Sequence, residues 1–282
     1  MSLKSRLNDK SIIIMPGIYD ALTAKIAEQE GFEVIFQSGY SVSASMLAMP
    51  DYGFLNAGEV LEQAEKITRA CNLPLIVDID TGYGNPLTVY KLIKDLEHIG
   101  ASGVFLEDQI WPKRCGHMQG KQVINTDDYI QKLRAAIDAK SDNFIIVART
   151  DALEPLGIEE AIRRGRLYKD IGADAIFIEA PRSIEDLKTI ANAIDAPLVA
   201  NMIEGGKTPL LSAKELEELG FRLVVFPLSA LLASTYAIRS IFRALKSKGI
   251  TDSTNMLMFD EFNELIGLKD YKRLENKYKT KG

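Results

Sequence analysis

Two aspartates, Asp78 and Asp80, close an apolar run that starts at Leu75, and Glu107 closes another that starts at Val104. Alternation along a strand sends Asp78 and Asp80 to the same side, and Glu107 at the end of the next strand can stand beside them. Carboxylates crowded in this way repel and take up protons unless a cation neutralises them. An all-oxygen donor set suits Mg2+, with Mn2+ as a substitute, rather than zinc. Other apolar runs end in equally polar residues: Gln37-Ser38-Gly39, Arg149-Thr150-Asp151, Glu179 and Asn201. Burying charge is costly unless it is paired or metal-bound, so the pattern points to one shared site. The planar fork of Arg149 would clamp a substrate carboxylate or pair with Asp151 or Glu179, and both can hold at once.

A second cluster, Lys113-Arg114-Cys115-Gly116-His117, lies in a long loop from Ile110 to Val123, with Gly116 and Gly120 as candidate hinges. Three basic groups around one thiol should favour the thiolate and let Cys115 exchange protons near neutral pH. Cysteine plus histidine in one loop does not make a metal site. Cys71, at an apolar helix end, reads as buried and inert. Two other motifs fail. Gly82-Tyr83-Gly84 lacks the third glycine of a dinucleotide fingerprint, and Gly206-Lys207-Thr208 has Asn201 where a phosphate loop needs glycine.

These residues need a frame that brings strand ends together. Eight short apolar runs recur: Ile12–Met15, Val34–Gln37, Leu75–Asp80, Val104–Glu107, Ile145–Arg149, Ala175–Glu179, Leu198–Asn201 and Leu223–Pro227. They are near-continuous in Ile, Val, Leu and Phe, as strands buried on both faces should be. Helical patterns follow them, roughly Asp20–Gln29, Asn56–Ala70, Leu87–Ile99, Thr126–Ala139, Ile158–Ile171, Ile184–Ala193, Ala213–Leu219 and Ala230–Lys246. Several end in a glycine suited to a left-handed cap: Gly31, Gly100, Gly172, Gly220 and Gly249. Strict strand–helix alternation indicates a closed (β/α)8 TIM barrel over residues 1–250, rather than an open doubly wound sheet, with a C-terminal helical extension over residues 251–282. The extension carries an apolar stripe, Met256, Leu257, Phe259, Phe262, Leu265 and Ile266. It either packs on its own barrel or docks on a neighbouring subunit.

The 282 residues suit a single barrel, and a net charge of -5 argues against a nucleic-acid surface. Two cysteines are too few for a disulfide framework and suit a reducing compartment. The first ten residues lack the apolar core of a signal peptide, and no run approaches the ~18 apolar residues of a membrane span. A cytoplasmic enzyme acting on a small molecule, without nucleic-acid or membrane partners, is expected.

Asp78-Ile79-Asp80-Thr81-Gly82-Tyr83-Gly84, Glu107-Asp108-Gln109 and Lys113-Arg114-Cys115-Gly116-His117 strongly resemble the isocitrate lyase/phosphoenolpyruvate mutase superfamily. So do Ser43-Ala44-Ser45-Met46-Leu47 with Pro50-Asp51, Ala148-Arg149-Thr150-Asp151-Ala152, and the stretch from Asn201 to Pro209. The resemblance covers nearly the whole chain, and the Lys-Arg-Cys-Gly-His loop is specific for the lyase-like branch. It implies a barrel whose eighth helix is exchanged between subunits, usually in a homotetramer. Asp78 and Asp80 would hold Mg2+ largely through water, with Glu107 behind them. The backbone around Ser38, Gly39 and Tyr40 would hold the keto-acid end, and Arg149 would grip a carboxylate with Asn201 and Glu179 nearby. Asp51 would lie over the reacting centre, and the loop with Cys115 and Gly116 would close on the substrate. Cys115 would be the acid, tuned by His117 and Lys113, and Glu179 would lie on the base side. The implied reaction is cleavage of a 2-alkylmalate or methylisocitrate-like 2-hydroxy dicarboxylate through an enolate-type intermediate. Leu232 stands where methylisocitrate lyases carry an arginine, which favours the 2-alkylmalate class. Alternatives are a carboxyphosphonoenolpyruvate phosphonomutase, an oxaloacetate-cleaving enzyme and a non-catalytic keto-acid-binding barrel.

Overall fold

The computed structural model describes residues 3–7, 9, 11–251, 254 and 256–279. Eight parallel strands close a barrel in sequence order: β1 (Ile13–Ile18), β2 (Ile35–Gln37), β3 (Leu75–Asp78), β4 (Gly103–Glu107), β5 (Ile145–Thr150), β6 (Ala175–Ile178), β7 (Leu198–Asn201) and β8 (Leu223–Phe226), with β8 pairing back to β1. The helices are α1 (Leu3–Arg6), α2 (Ala21–Gln29), α3 (Gly39–Leu47), α4 (Ala57–Ala70), α5 (Pro86–His98), α6 (Thr126–Ala139), α7 (Leu153–Leu156), α8 (Ile158–Ile171), α9 (Ile184–Ala193), α10 (Ala213–Glu218), α11 (Ser229–Lys248), α12 (Phe259–Leu265) and α13 (Leu268–Tyr278).

Period-two alternation divides the apolar residues into two cores. Met15, Phe36, Ile76, Phe105, Val147, Phe177, Val199 and Val225 point inward and fill the barrel. Their neighbours Ile35, Leu75, Val77, Leu106, Ile146, Ile176 and Val224 point outward and meet the helices. The short helix α1 adds Leu3 to the inner core, and Leu7, just beyond its end, joins it. Burying each of these larger side chains contributes roughly 1.5–3 kcal/mol. Two residues beyond the inward apolar residue, the same parity delivers Ser38, Asp78, Glu107, Arg149, Glu179 and Asn201 to the barrel mouth. The packing pattern and the polar rim are therefore one pattern read at two heights.

The five helix-ending glycines all adopt left-handed φ, Gly172 at 116° being the most open. Two expectations need correction. The third strand ends at Asp78, not Asp80, because Asp80 takes φ 48° and leaves the ladder. The two aspartates therefore do not share a face by alternation. A turn folds them together, with the Asp80 amide donating to Asp78 Oδ1 at 3.1 Å. The second correction is α3, which the sequence reading leaves as loop. Its Ser- and Ala-rich stretch has little apolar periodicity, and Ser38 caps it by accepting from the Ser41 amide. α11 differs from the other long barrel helices in burying none of its residues.

Candidate active site

The mouth of the barrel holds a small cavity of about 40 Å3 beneath the loop after β4. Ser38, Tyr40, Asp51, Asp78, Lys113, Cys115, Gly116, His117, Arg149, Glu179 and Asn201 all line it. The three remaining candidates adjoin it through direct neighbours. Asp80 Oδ1 pairs with Lys113 Nζ at 2.7 Å, and Glu107 Oε2 lies 3.2 Å from Arg149 Nη2. A Cβ on Gly39 would fall 2.9 Å from Asp78 Oδ2. Sequence reasoning missed the apolar lining: Phe36, Phe105, Phe177, Ile203, Val225, Pro227 and Leu228. Inward parity could have found Phe105 and Phe177, each two residues before a site glutamate. Leu232 does not line the cavity and is 44% exposed, whereas Leu228 does line it and is buried.

The loop after β4 is pinched at its neck by an antiparallel bridge between Gln109 and Val123, with Ile110 and Ile124 amides donating to Gln122 and Asp108 carbonyls. Beyond the neck it lies over the cavity as a closed lid. Lys113 enters the carboxylate cluster and donates to Asp51 Oδ2 at 2.5 Å as well as pairing with Asp80. Gly116 approaches Glu179 so closely that a Cβ would fall 2.5 Å from its carboxylate. Close approach, and not only hinge freedom, demands this glycine.

The protonation states divide the site. Burial raises Cys115 to about 11, Asp51 and Glu179 adding to the effect against the His117 amide and Lys113. This corrects the expectation of a favoured thiolate: three basic neighbours in sequence do not outweigh desolvation and two facing carboxylates, so Cys115 is a thiol at neutral pH. Burial also works on Glu179, but the Arg149 charge and His117 outweigh it and hold the carboxyl below its ordinary value. Glu179 accepts from Asn201 Nδ2 on both oxygens, at 3.2 and 3.3 Å. Asn201 Oδ1 is left buried without a partner beside the cavity. His117 Nε2 approaches Glu179 Oε1 at 3.1 Å, close but off the line of a good hydrogen bond.

Asp78, Asp80 and Glu107 are all raised, burial being the largest cause, with Asp80 reaching about 7. Among the described residues no group of three or more His, Cys, Asp or Glu side chains is arranged as a ready metal cluster. Part of the negative charge for which the sequence reading favoured a metal over pairing with basic side chains is met by Lys113 and Arg149. The residues still fit a hard cation. Glu107 Oε1 is buried without a partner, and the missing Cβ of Gly39 leaves space beside Asp78 and Asp80.

An eight-stranded barrel with acids, a guanidinium and a lidded thiol at its carboxyl end defines a barrel enzyme. A profile of the phosphoenolpyruvate phosphomutase family matches residues 3–246, and the chain belongs to that family. It is 47% identical over 279 residues to the chloroplastic carboxyvinyl-carboxyphosphonate phosphorylmutase of Arabidopsis thaliana, covering 96% of this chain and 82% of that one. It is 40% identical over 281 residues to the 2,3-dimethylmalate lyase of Eubacterium barkeri, covering 99% and 97%. Among solved structures, oxaloacetate acetylhydrolase in complex with 3,3-difluorooxalacetate superimposes with a TM-score of 0.93 at 35% identity over 98% of this chain and 95% of that one. Phosphonopyruvate hydrolase in complex with oxalate and Mg2+ gives 0.88 at 30%, over 98% and 97%. The chain is an enzyme of the lyase and phosphonomutase kind within this superfamily.

Proposed function

We propose that the protein is a Mg2+-dependent carbon–carbon lyase that cleaves a 2-alkylmalate-like 2-hydroxy dicarboxylate into an α-keto acid and a second carboxylic acid. One observation carries the reading: an ionised Glu179 and a protonated Cys115 line the same cavity. Paired groups pushed to opposite protonation states are the signature of an assigned base and acid. Glu179, steadied by Asn201, takes the proton of the substrate's 2-hydroxyl. The C2–C3 bond breaks as the C2 carbonyl forms, and its electron pair passes to C3, conjugated with the distal carboxylate. Cys115 gives its proton to C3. Arg149 holds a carboxylate, the helix start at Ser38, Gly39 and Tyr40 holds the keto-acid end, and Lys113 and Asp51 close over the reacting centre. Asp78 and Asp80 would hold Mg2+ or Mn2+, with Glu107 behind them. When bound, the cation supplies positive charge against the oxyanion that develops at C2.

The Leu228, Ile203 and Val225 wall supports alkyl substituents and disfavours a third carboxylate, which would be buried there unpaired. The test is keto-acid release with Mg2+ from a panel of 2,3-dimethylmalate, 2-ethylmalate, citramalate, oxaloacetate and methylisocitrate. Turnover of at least one 2-alkylmalate with little from methylisocitrate is expected. No cleavage, combined with phosphonate formation from a carboxyphosphonoenolpyruvate-type substrate seen by phosphorus NMR, would establish the mutase reading instead.

The barrel of residues 1–250 carries the chemistry, and its last helix, α11, together with the extension over residues 251–282, serves assembly into a homotetramer in which α11 is exchanged between subunits. The support is α11 itself: Leu232, Tyr236, Ile238, Phe242 and Leu245 are all exposed along one 20-residue helix, none of whose residues is fully buried in its own chain. The two unpaired cysteines suit the cytoplasm. Among the described residues no helix is long and apolar enough to cross a membrane.

A further inference from the structure

The closed lid rests on the loop after β7. The Lys207 amide donates to His117 Nδ1 at 2.8 Å, and Lys207 Nζ donates to the Met118 carbonyl at 3.0 Å and to Glu154 Oε2 at 2.9 Å. Gly206 makes the approach possible: a Cβ there would fall 2.6 Å from His117 Nδ1, while its backbone does not require glycine for conformational reasons. The other arm of the lid reaches the same place. Lys121 Nζ donates to Asp151 Oδ1 at 2.9 Å and lies 3.8 Å from Glu154 Oε2. Two lysines, one from the lid and one from its seat, therefore meet at Glu154 on α7.

We propose that the Gly206-Lys207 turn is the seat that holds the reactive lid closed, and that Lys207 is a positioning residue for the cleavage reaction. A ring nitrogen that accepts a hydrogen bond carries no proton, so the His117 ring places its N–H at Nε2, facing Glu179 at 3.1 Å. The seat thus sets the tautomer of the residue two places from Cys115. The ammonium of Lys207 ties the lid backbone to a helix that does not belong to the lid. With side-chain exposures of 22% for Lys207 and 16% for Glu154, the bolt sits at the solvent boundary, where it can be broken and remade. The catalytic part of this proposal rests on the lyase reading of Cys115; the mechanical part does not.

The test uses the full-length, ligand-free protein and its Lys207→Met, Lys207→Arg and Gly206→Ala variants. Trypsin reports lid opening by cutting after Lys113, Arg114 or Lys121, at a rate set by the open population. A lost charge-assisted bond should raise that rate about 10-fold in Lys207→Met, with Lys207→Arg staying within about 3-fold of the parent. Gly206→Ala should move with Lys207→Met, since it displaces the ring that the seat receives. For keto-acid release, Lys207→Met should lower kcat about 10-fold with KM changed less than about 3-fold, a split that mere loosening of the fold would not give. Lid cutting at the parental rate in both Lys207→Met and Gly206→Ala overturns the seat. Faster cutting in both, in a protein that cleaves no 2-alkylmalate, upholds the seat and overturns the lyase reading alone.

Discussion

Arg149 and Asp151 form a two-pronged ion pair, Nε to Oδ2 at 2.8 Å and Nη2 to Oδ1 at 3.0 Å, inside the barrel mouth. The pair is embedded in a larger network. Asp151 also receives Lys121 Nζ, and its amide donates to Asp108 Oδ1 at 2.9 Å. Asp108, fully buried, further accepts from Thr150, Arg164 and Tyr168. The guanidinium is thus pinned through Nε and Nη2 by Asp151, and Glu107 Oε2 also lies 3.2 Å from Nη2, leaving Nη1 outside both pairs. Pinning of this kind gives a substrate carboxylate one orientation to find, at no further ordering cost when it binds.

Asp151→Asn should therefore harm both binding and stability. Removing one partner of a buried ion pair strands the other, at a cost of about 3–5 kcal/mol, and KM for the diacid should rise about 10-fold. The deficit should depend on pH. Burial pushes the Asp151 carboxyl up, but Arg149 and Lys121 outweigh it and hold it well below the ordinary range. A depressed folded-state value contributes stability that is present above the unfolded value of about 3.9 and is lost as pH falls below it. Urea unfolding should show the largest gap between parent and variant at pH 7 and a smaller gap at pH 3. An equal gap at both would remove the charge argument.

Cys115 should behave as a thiol. With its ionisation pushed up to about 11, alkylation by iodoacetamide at pH 8 should be slow and should climb through the alkaline range. Cys115→Ser should lower turnover about 100-fold while leaving substrate affinity similar, as for a lost general acid. Rapid alkylation near pH 7, or an undiminished rate in the serine variant, would remove the thiol from the acid role.

The barrel was legible because its signal is local. Each strand is a short apolar run, each helix has a 3.6-residue stripe, and eight repeats leave little choice of topology. The site was legible where a polar residue ended an apolar run, as with Glu107, Arg149, Glu179 and Asn201. Sequence could not weigh burial against neighbouring charge. It placed Cys115 among three bases, whereas the fold puts Asp51 and Glu179 opposite it. Nor could it see that Asp80 leaves its strand through a left-handed residue, or that Lys113 folds back from a distant loop onto Asp51 and Asp80. The first is a single-residue backbone turn and the second a contact between segments remote in the chain, and periodicity carries no information about either.

Cation binding should be measurable apart from catalysis. Asp80, raised to about 7 by burial and by Asp78 and Asp51 against Lys113, must lose its proton to become a full ligand. Mn2+ affinity, followed by electron paramagnetic resonance, should fall as pH drops below about 7 and should weaken about 10-fold or more in Asp78→Asn or Asp80→Asn. Chelation should abolish keto-acid release, and added Mg2+ or Mn2+ should restore it. Unaltered Mn2+ binding in both variants would place the ion elsewhere.

Gly116→Ala isolates lid closure from chemistry. The new methyl would fall 2.5 Å from the Glu179 carboxylate, far inside van der Waals contact, and Glu179 is fully buried and held by Asn201, so it cannot yield. The substitution leaves Cys115, His117 and Lys113 in place but denies them their closed position. Turnover should fall about 100-fold, because proton transfer needs the donor within hydrogen-bond reach of the carbon it serves. At the same time Cys115, no longer covered, should alkylate faster than in the parent at the same pH. Loss of turnover with slow alkylation would mean a lid that still closes in a changed shape, and parental turnover would show that Gly116 is dispensable for closure.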